Sequence, residues 1–162
     1  MTIACIGSRK ITPTQQKICI AVGYFLAKLG HHISSGNAEG ADAHFAIGAN
    51  AVNPELVNLY LTGKNHNPQF IQHGNHLYYE NEFPEWEELS RIHPKYDSLK
   101  PYVKKLMNRN AGIILSCDLV IAMPNEKVTG GTAHSMKIAQ SLNKKVINLN
   151  LDLDKVVALL SQ

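Results

Sequence analysis

Two glycine-rich turns constrain the fold of this chain more than any other feature, because each stands between an apolar run and a helix-like run. The first, Ser34-Ser35-Gly36-Asn37-Ala38-Glu39-Gly40-Ala41-Asp42, follows His32-Ile33. The second, Thr129-Gly130-Gly131-Thr132-Ala133-His134, follows Leu119-Val120-Ile121-Ala122. A shorter turn, Gly7-Ser8-Arg9, follows Ile3-Ala4-Cys5-Ile6. Such turns join strands to helices, and in a parallel sheet they would converge on one crevice.

The chemistry of these turns suits a phosphate. Glycine lets a backbone approach a ligand closely, and a helix N-terminus offers unpaired N–H groups and a positive dipole end. Ser8, Ser35 and Thr132 would donate hydroxyl hydrogen bonds to phosphate oxygens, while Arg9 and Arg109 would supply positive charge. The sequence therefore predicts a crevice that holds a phosphorylated ligand.

The order of the apolar runs predicts one α/β domain over residues 1–162, with a mainly parallel sheet flanked by helices. A capping-box spacing at Thr12 and a proline at position 13 mark the first helix. Predicted strands cover 3–6, 32–35, 57–61, 119–122 and 146–149, and predicted helices begin near 13, 41, 101, 132 and 152. Between about 62 and 100 the pattern predicts a long irregular insertion or lid, with one short helix near 86–92.

Composition narrows the class of protein. The chain is 44% hydrophobic and 18% charged with a net charge of +3, which predicts a folded, mildly basic protein. The three cysteines, Cys5, Cys19 and Cys117, lie far apart in apolar runs, so we expect free, buried thiols. The eight histidines form no compact zinc pattern, so neither a metal nor a cofactor is expected. No signal peptide or membrane span is predicted, which favours a cytoplasmic protein.

Taken together, the motifs resemble the Rossmann-like core of DNA-processing protein A, DprA, within the SLOG superfamily of nucleotide-binding domains. The resemblance runs from Ile3 to Leu149 and is closest to short stand-alone members common in phage genomes. The motifs on which the resemblance rests are Gly7-Ser8-Arg9, Ser35-Gly36-x-Ala38-x-Gly40-x-Asp42, Arg109-Asn110 and Thr129-Gly130-Gly131-Thr132-Ala133.

The turns and the resemblance together predict a nucleotide- or phosphate-binding site. It comprises Gly7, Ser8, Arg9, Ser35, Gly36, Asn37, Ala38, Gly40, Asp42, Arg109, Asn110, Thr129, Gly130, Gly131 and Thr132. Asp42 would repel a phosphate, so it is expected to cap the second helix, accept from a ribose hydroxyl or orient Arg9. Arg109 has an alternative as a solvated residue at a helix end, beside the basic Lys104 and Lys105.

Three functions stay open at this point. The resemblance implies a non-catalytic protein that binds a nucleotide or single-stranded DNA, with a homodimer as a candidate assembly. The alternative is an enzyme acting at the N-glycosidic bond of a nucleoside 5′-monophosphate, like the Lonely Guy phosphoribohydrolases, with Glu39, Asp42 and His134 as candidate catalytic residues. That family carries a glutamate shortly after its second glycine pair, where this chain has no carboxylate. A sensor or sponge of a nucleotide signal is the third.

Aromatic residues are concentrated in the irregular segment. They are Phe70, Tyr78, Tyr79, Phe83, Trp86 and Tyr96. Such rings stack on nucleobases in single-strand binders, and they also pack long segments onto a domain. Packing is the commoner use, and Trp86 in particular is expected to be a structural anchor.

Overall fold

Six parallel strands form the central sheet of the computed structural model, which describes residues 1–162. The strands are β1 Thr2–Gly7, β2 His32–Ser35, β3 Val57–Leu61, β4 His76–Tyr79, β5 Leu119–Met123 and β6 Val146–Asn148. Their order across the sheet is β4-β3-β2-β1-β5-β6, and every neighbouring pair is parallel. All residues of β3 and β5 are buried, as expected of strands covered on both faces.

Helices cover both faces of this sheet. They are α1 Pro13–Lys28, α2 Ala41–Asn50, α3 Glu85–Ser90, α4 Pro101–Leu115, α5 Gly130–Ser141 and α6 Leu153–Leu160. One core holds apolar side chains of α1, α2 and α6, and the other holds those of α3, α4 and α5. The predicted Rossmann-like α/β fold is confirmed. None of the helices is long and apolar enough to cross a membrane.

One strand was missed by the sequence-based prediction. Residues 62–100 are largely irregular, but β4 extends the sheet at its edge by pairing with β3 in the register Leu59↔Leu77. His76 and Leu77 are exposed, so the strand carries no buried alternation that would mark it in the sequence. Pairing with a neighbouring strand, rather than local preference, makes this segment extended. The short predicted helix is present as α3.

Stacked aromatic rings hold the 62–100 segment against the sheet. Trp86 is 4% exposed, and its ring centroid lies 4.3 Å from that of Phe83 and 5.5 Å from that of Tyr60. Tyr60 in turn stacks on Tyr78 of β4, with centroids 4.8 Å apart. A Cβ at Gly112 of α4 would overlap the Trp86 indole, so glycine lets the helix lie directly on the ring. The rings named here therefore attach the segment to the domain, as expected of packing residues.

Lys144 stabilises the C-terminal end of α4. Its Nζ donates to the backbone oxygens of Ile114, Leu115 and Cys117 at 2.7, 2.9 and 2.6 Å. These acceptors lie where helix carbonyls lack intrahelical partners, and a cation there also opposes the negative end of the helix dipole. Lys144, which lies just before β6, thus attaches the start of β6 to the C-terminal end of α4.

We expect Lys144→Met to lower the free energy of unfolding by about 2 kcal/mol, because three hydrogen bonds to a charged donor are lost. Urea unfolding followed by circular dichroism measures the change. Lys145→Met is the matched control, since Lys145 is exposed. Equal stability of the two variants would show that the Lys144 contacts contribute nothing.

Candidate functional site

A crevice opens where the sheet reverses its strand order. The chain leaves β1 toward β2 on one side and returns through α4 to β5 on the other, so the carboxyl ends of β1 and β5 border a gap. A cavity of about 310 Å³ fills this gap. Its walls come from the turns after β1, β2 and β5 and from one side of α4.

Most of the predicted site residues lie in the wall of this cavity. They are Gly7, Arg9, Ala38, Asp42, Arg109, Asn110, Thr129, Gly130, Gly131 and Thr132. Ser8, Ser35, Gly36, Asn37 and Gly40 do not line it. The Ser8 hydroxyl bonds the backbone of Lys10 at 3.0 Å, and that of buried Ser35 donates to the Asp42 carbonyl at 3.5 Å.

A buried ion pair forms the floor of the crevice. Asp42 Oδ2 lies 3.8 Å from Arg109 Nη1, and the two side chains are 7% and 5% exposed. The Ala38 backbone N–H also donates to Asp42 Oδ2, at 3.4 Å. Among the described contacts, Asp42 pairs with Arg109 rather than with Arg9, the partner considered in the sequence. Arg109 is not solvated at a helix end, and its buried Nε has no hydrogen-bond acceptor.

Gly36 makes room for the Arg109 guanidinium. A Cβ at this position would overlap Arg109 Nη1 and would lie 2.8 Å from Asp42 Oδ2. The Gly36 backbone is therefore in direct contact with the ion pair, although Gly36 itself does not line the cavity. Glycine at this point of the turn is required by the arginine beside it.

Burial controls the protonation of the pair. It raises the pKa of the Asp42 carboxyl from 3.8 to about 6, although Arg109 and the backbone N–H groups of Ala38, Gly36 and Gly7 act to lower that pKa. Burial lowers the pKa of Arg109, and Asp42 acts in the opposite direction. Burial thus opposes the charged form of both groups, and the unpartnered Nε leaves the arginine with a donor for a further anion.

Because the pKa of Asp42 is raised in the folded protein, its contribution to folding stability decreases as pH rises. Since folded Asp42 binds its proton more tightly than the unfolded residue, this contribution is complete below about pH 4 and is lost as pH rises through about 6. We expect Asp42→Asn to gain stability relative to the parent protein as pH rises over this range. Urea unfolding of both proteins at several pH values measures the difference, and a pH-independent difference would contradict the prediction.

The N-terminus of α5 faces the same cavity. Thr129 precedes the helix but makes no capping hydrogen bond with its side chain, which instead accepts from Asn125 Nδ2 at 3.1 Å. The backbone N–H groups of Gly131 and Thr132 have no acceptor within the protein. Uncapped N–H groups at the positive end of a helix dipole can bind an anion.

A second cavity of about 230 Å³ adjoins the first and shares Arg9 and Ala38 with it. Its other lining residues are Glu39, Asn65, His66, Asn67 and Tyr102. Asn37 Nδ2 donates to the carbonyls of His66 and Asn67 at 2.9 and 3.1 Å, and Asn67 Nδ2 donates back to the Asn37 carbonyl at 3.0 Å. These reciprocal bonds fix the 65–67 loop against the first glycine turn.

The three candidate catalytic residues lie apart. Asp42 lines the first cavity and Glu39 the second, while His134 lines neither. His134 is 3% exposed, and its Nε2 lies 3.2 Å from Ser90 Oγ. Burial, followed by His93 and Lys137, lowers its pKa to about 4. No three His, Cys, Asp or Glu side chains group together as a metal site, and a metal-free protein stays a prediction.

Sequence reasoning predicted Arg109 and Asn110 but missed the other residues that α4 and the 65–67 loop bring to the site. Leu106 and Ile113 of α4 line the first cavity together with Arg109, and Tyr102, seven positions before Arg109, lines the second. This i, i+4, i+7, i+11 spacing is the repeat of one helix face, and it was the available signal. His66 carried no such signal, because its position depends on the fold of an irregular segment.

Comparison with known proteins gives a family for this fold and site. Residues 1–158 match the model of the family described as DNA recombination-mediator protein A. No curated protein matches the chain. The family match therefore extends over all the elements that form the crevice.

The solved structures that are similar in fold include these two. One is DNA processing protein A from Helicobacter pylori, described for its single-stranded DNA binding mode, with 22% identity, a TM-score of 0.64, and coverage of 90% of this chain and 63% of that one. The other is the molybdenum cofactor binding protein of Rippkaea orientalis, with 22% identity, a TM-score of 0.61, and coverage of 91% and 74%. The chain thus spans less than two thirds of the Helicobacter protein.

Proposed function

The chain belongs to the DNA recombination-mediator protein A family, and from this membership we propose that it binds a nucleotide or single-stranded DNA through phosphates held in the crevice. Arg109, the turns after β1 and β2 and the N-terminus of α5 would surround the phosphate. Binding is the whole of the proposed activity. Association with a second copy of the chain and a part in recombination stay predictions.

The observation that carries the proposal is the unsatisfied Arg109. Its guanidinium is buried, its Nε has no acceptor and its nearest carboxylate oxygen is 3.8 Å away. Buried charged donors are rarely left without partners, and leaving one unpaired is unfavourable by several kcal/mol. A phosphate in the adjoining cavity would supply two oxygens to the planar fork of donors.

The N-terminus of α5 supports the same ligand. The free N–H groups of Gly131 and Thr132 belong to residues that line the same cavity as Arg109. An anion in this cavity would meet both a side-chain cation and the positive end of a helix dipole. A carboxylate could satisfy this charge as well, so the experiment uses phosphates directly.

Fluorescence anisotropy of a labelled oligonucleotide of about thirty bases, titrated at several salt concentrations, tests the proposal. We expect Arg109→Ala to weaken binding roughly 30-fold or more, since removal of a buried charge partner costs about 2–5 kcal/mol. The slope of log affinity against log salt should become shallower by about 0.7 for the lost phosphate contact. Competition by mononucleotides shows whether a single nucleotide suffices.

Arg91→Ala is the matched control, because Arg91 is exposed and pairs with Glu87 and Asp97 outside both cavities. Circular dichroism confirms that each variant is folded, and Arg109→Lys provides a variant that keeps the charge. Unchanged binding in a folded Arg109→Ala protein would overturn the proposal. Binding of a mononucleotide without the oligonucleotide would restrict the function to small ligands.

A further inference from the structure

We propose that the second cavity is a guanine subsite, so that the crevice selects a guanine base next to the phosphate it holds. The inference rests on the proposed function, because the base would enter beside a bound phosphate. The guanine could belong to a free nucleotide or to single-stranded DNA, since both present the same base edge.

The second cavity adjoins the first. Arg9 and Ala38 line both, so a ligand with its phosphate near Arg109 would pass these residues to reach the second cavity. Asn37 and Asn67 hold the far wall in place through their reciprocal hydrogen bonds. A wall that is already ordered loses little entropy when a base binds.

Glu39 gives the second cavity its preference for guanine. It is the sole acidic residue of the lining, and a carboxylate accepts hydrogen bonds without donating any. Guanine offers the ring N1–H and the exocyclic N2–H₂ side by side, which matches two carboxylate oxygens. Adenine presents an acceptor at N1 beside its amino group, so the same carboxylate would face a lone pair. Glu39 therefore favours guanine over adenine.

Donors in the same cavity complement the other edge of the base. His66 Nδ1 accepts from the Thr62 backbone N–H at 3.4 Å, which leaves the imidazole proton on Nε2. Burial, Arg109 and Arg9 lower the pKa of His66 to about 4, so the ring is neutral. Arg9 takes part in none of the ion pairs of the fold. Together they provide donors for guanine O6 and N7, both of which are acceptors.

Tyr102 supplies a surface for stacking. It lines the cavity and is 57% exposed. Tyr102 lies on the same helix as Arg109, so the ring that would stack on the base and the arginine that would bind the phosphate are fixed relative to each other. Stacking is independent of base identity, so Tyr102 adds affinity and Glu39 adds selectivity.

Calorimetric titration of the full chain with the 5′-monophosphates of guanosine, adenosine, cytidine and uridine tests the inference. We expect the guanine nucleotide to bind about tenfold more tightly than the adenine nucleotide, in the range typical of one bidentate contact to a base. Glu39→Gln should remove this preference, because an amide presents one acceptor and one donor in place of two acceptors, and it should not weaken adenine binding. Glu82→Gln is the matched control, since Glu82 is exposed and lines neither cavity.

Two further arms separate the sources of guanine and the role of the ring. An oligothymidine with one internal guanine should bind more tightly than the all-thymine strand if DNA is the source, whereas equal affinities assign the preference to free nucleotides. Tyr102→Ala should weaken all four monophosphates about tenfold, and Tyr102→Phe should retain them.

The failures are distinguishable. Four monophosphates that bind equally and depend on Arg109 would leave the proposed function standing and overturn the guanine subsite. Equal weakening of the binding of all four monophosphates in Glu39→Gln would also overturn the guanine subsite, because Glu39 would then support the structure of the loop and not the choice of base. Absence of any nucleotide or oligonucleotide binding would overturn both proposals.

Discussion

Replacing Gly36 with alanine is expected to weaken phosphate binding about 30-fold or more, although no atom of Gly36 lines the cavity. The added Cβ would overlap Arg109 Nη1, so the guanidinium must leave its position beside Asp42. Loss of a buried charged contact to a ligand has an effect of roughly 2–5 kcal/mol, which sets the expected change in affinity. Anisotropy titration with the oligonucleotide, or calorimetry with a mononucleotide, measures it.

Gly63→Ala is the control for this substitution. A Cβ at Gly63 would meet no atom within 4 Å, and its backbone is not in the left-handed region, so we expect unchanged affinity. Thermal melting of both variants separates loss of the site from loss of the fold. If a folded Gly36→Ala protein binds as the parent does, Arg109 is not the phosphate ligand, and the proposed arrangement is wrong.

Trp86→Ala is expected to lower the free energy of unfolding by about 3–5 kcal/mol, the range for large aromatic residues removed from a core. The ring lies between Phe83 and Tyr60 and covers Gly112, so its removal leaves a cavity between α3, α4 and β3. Urea unfolding must be followed by circular dichroism, because the protein has no other tryptophan.

Phe25→Ala provides the comparison for an aromatic residue outside the core. Phe25 is 51% exposed on α1, so we expect its removal to change stability by less than about 1 kcal/mol. A loss in Trp86→Ala as small as this would mean that the 62–100 segment is held by contacts other than the aromatic stack.

The sequence carried enough information to predict the fold and much of the crevice wall. The glycine turns after 3–6, 32–35 and 119–122 predicted strand ends, and strand ends of a parallel sheet lie at one edge. The glycine turns indicated where the strands end, and the parallel topology indicated that these ends lie together. The convergence of the turns on one crevice was therefore predictable. The exposed strand β4 lacked such agreement, because only its neighbour β3 makes it extended.

The details of the site depended on distances between segments remote in sequence. Asp42 was considered as a partner of Arg9, but α4 brings Arg109 to it from 67 positions later in the chain. Tyr102 and His66 line the same cavity, although one belongs to helix α4 and the other to the 65–67 loop. Neither pairing has a periodic signal, since each depends on how α4 and the 65–67 loop pack against the sheet.

The central position of β1 also has a consequence for the growing chain during translation. β1 pairs with β2 early, but its other neighbour is β5, in the register Ile3↔Leu119. A chain synthesised only as far as β4 can pair four of the six strands, with the apolar β1 exposed as an edge. Such edges promote association between chains, so interrupted synthesis should yield an aggregation-prone fragment that lacks the crevice.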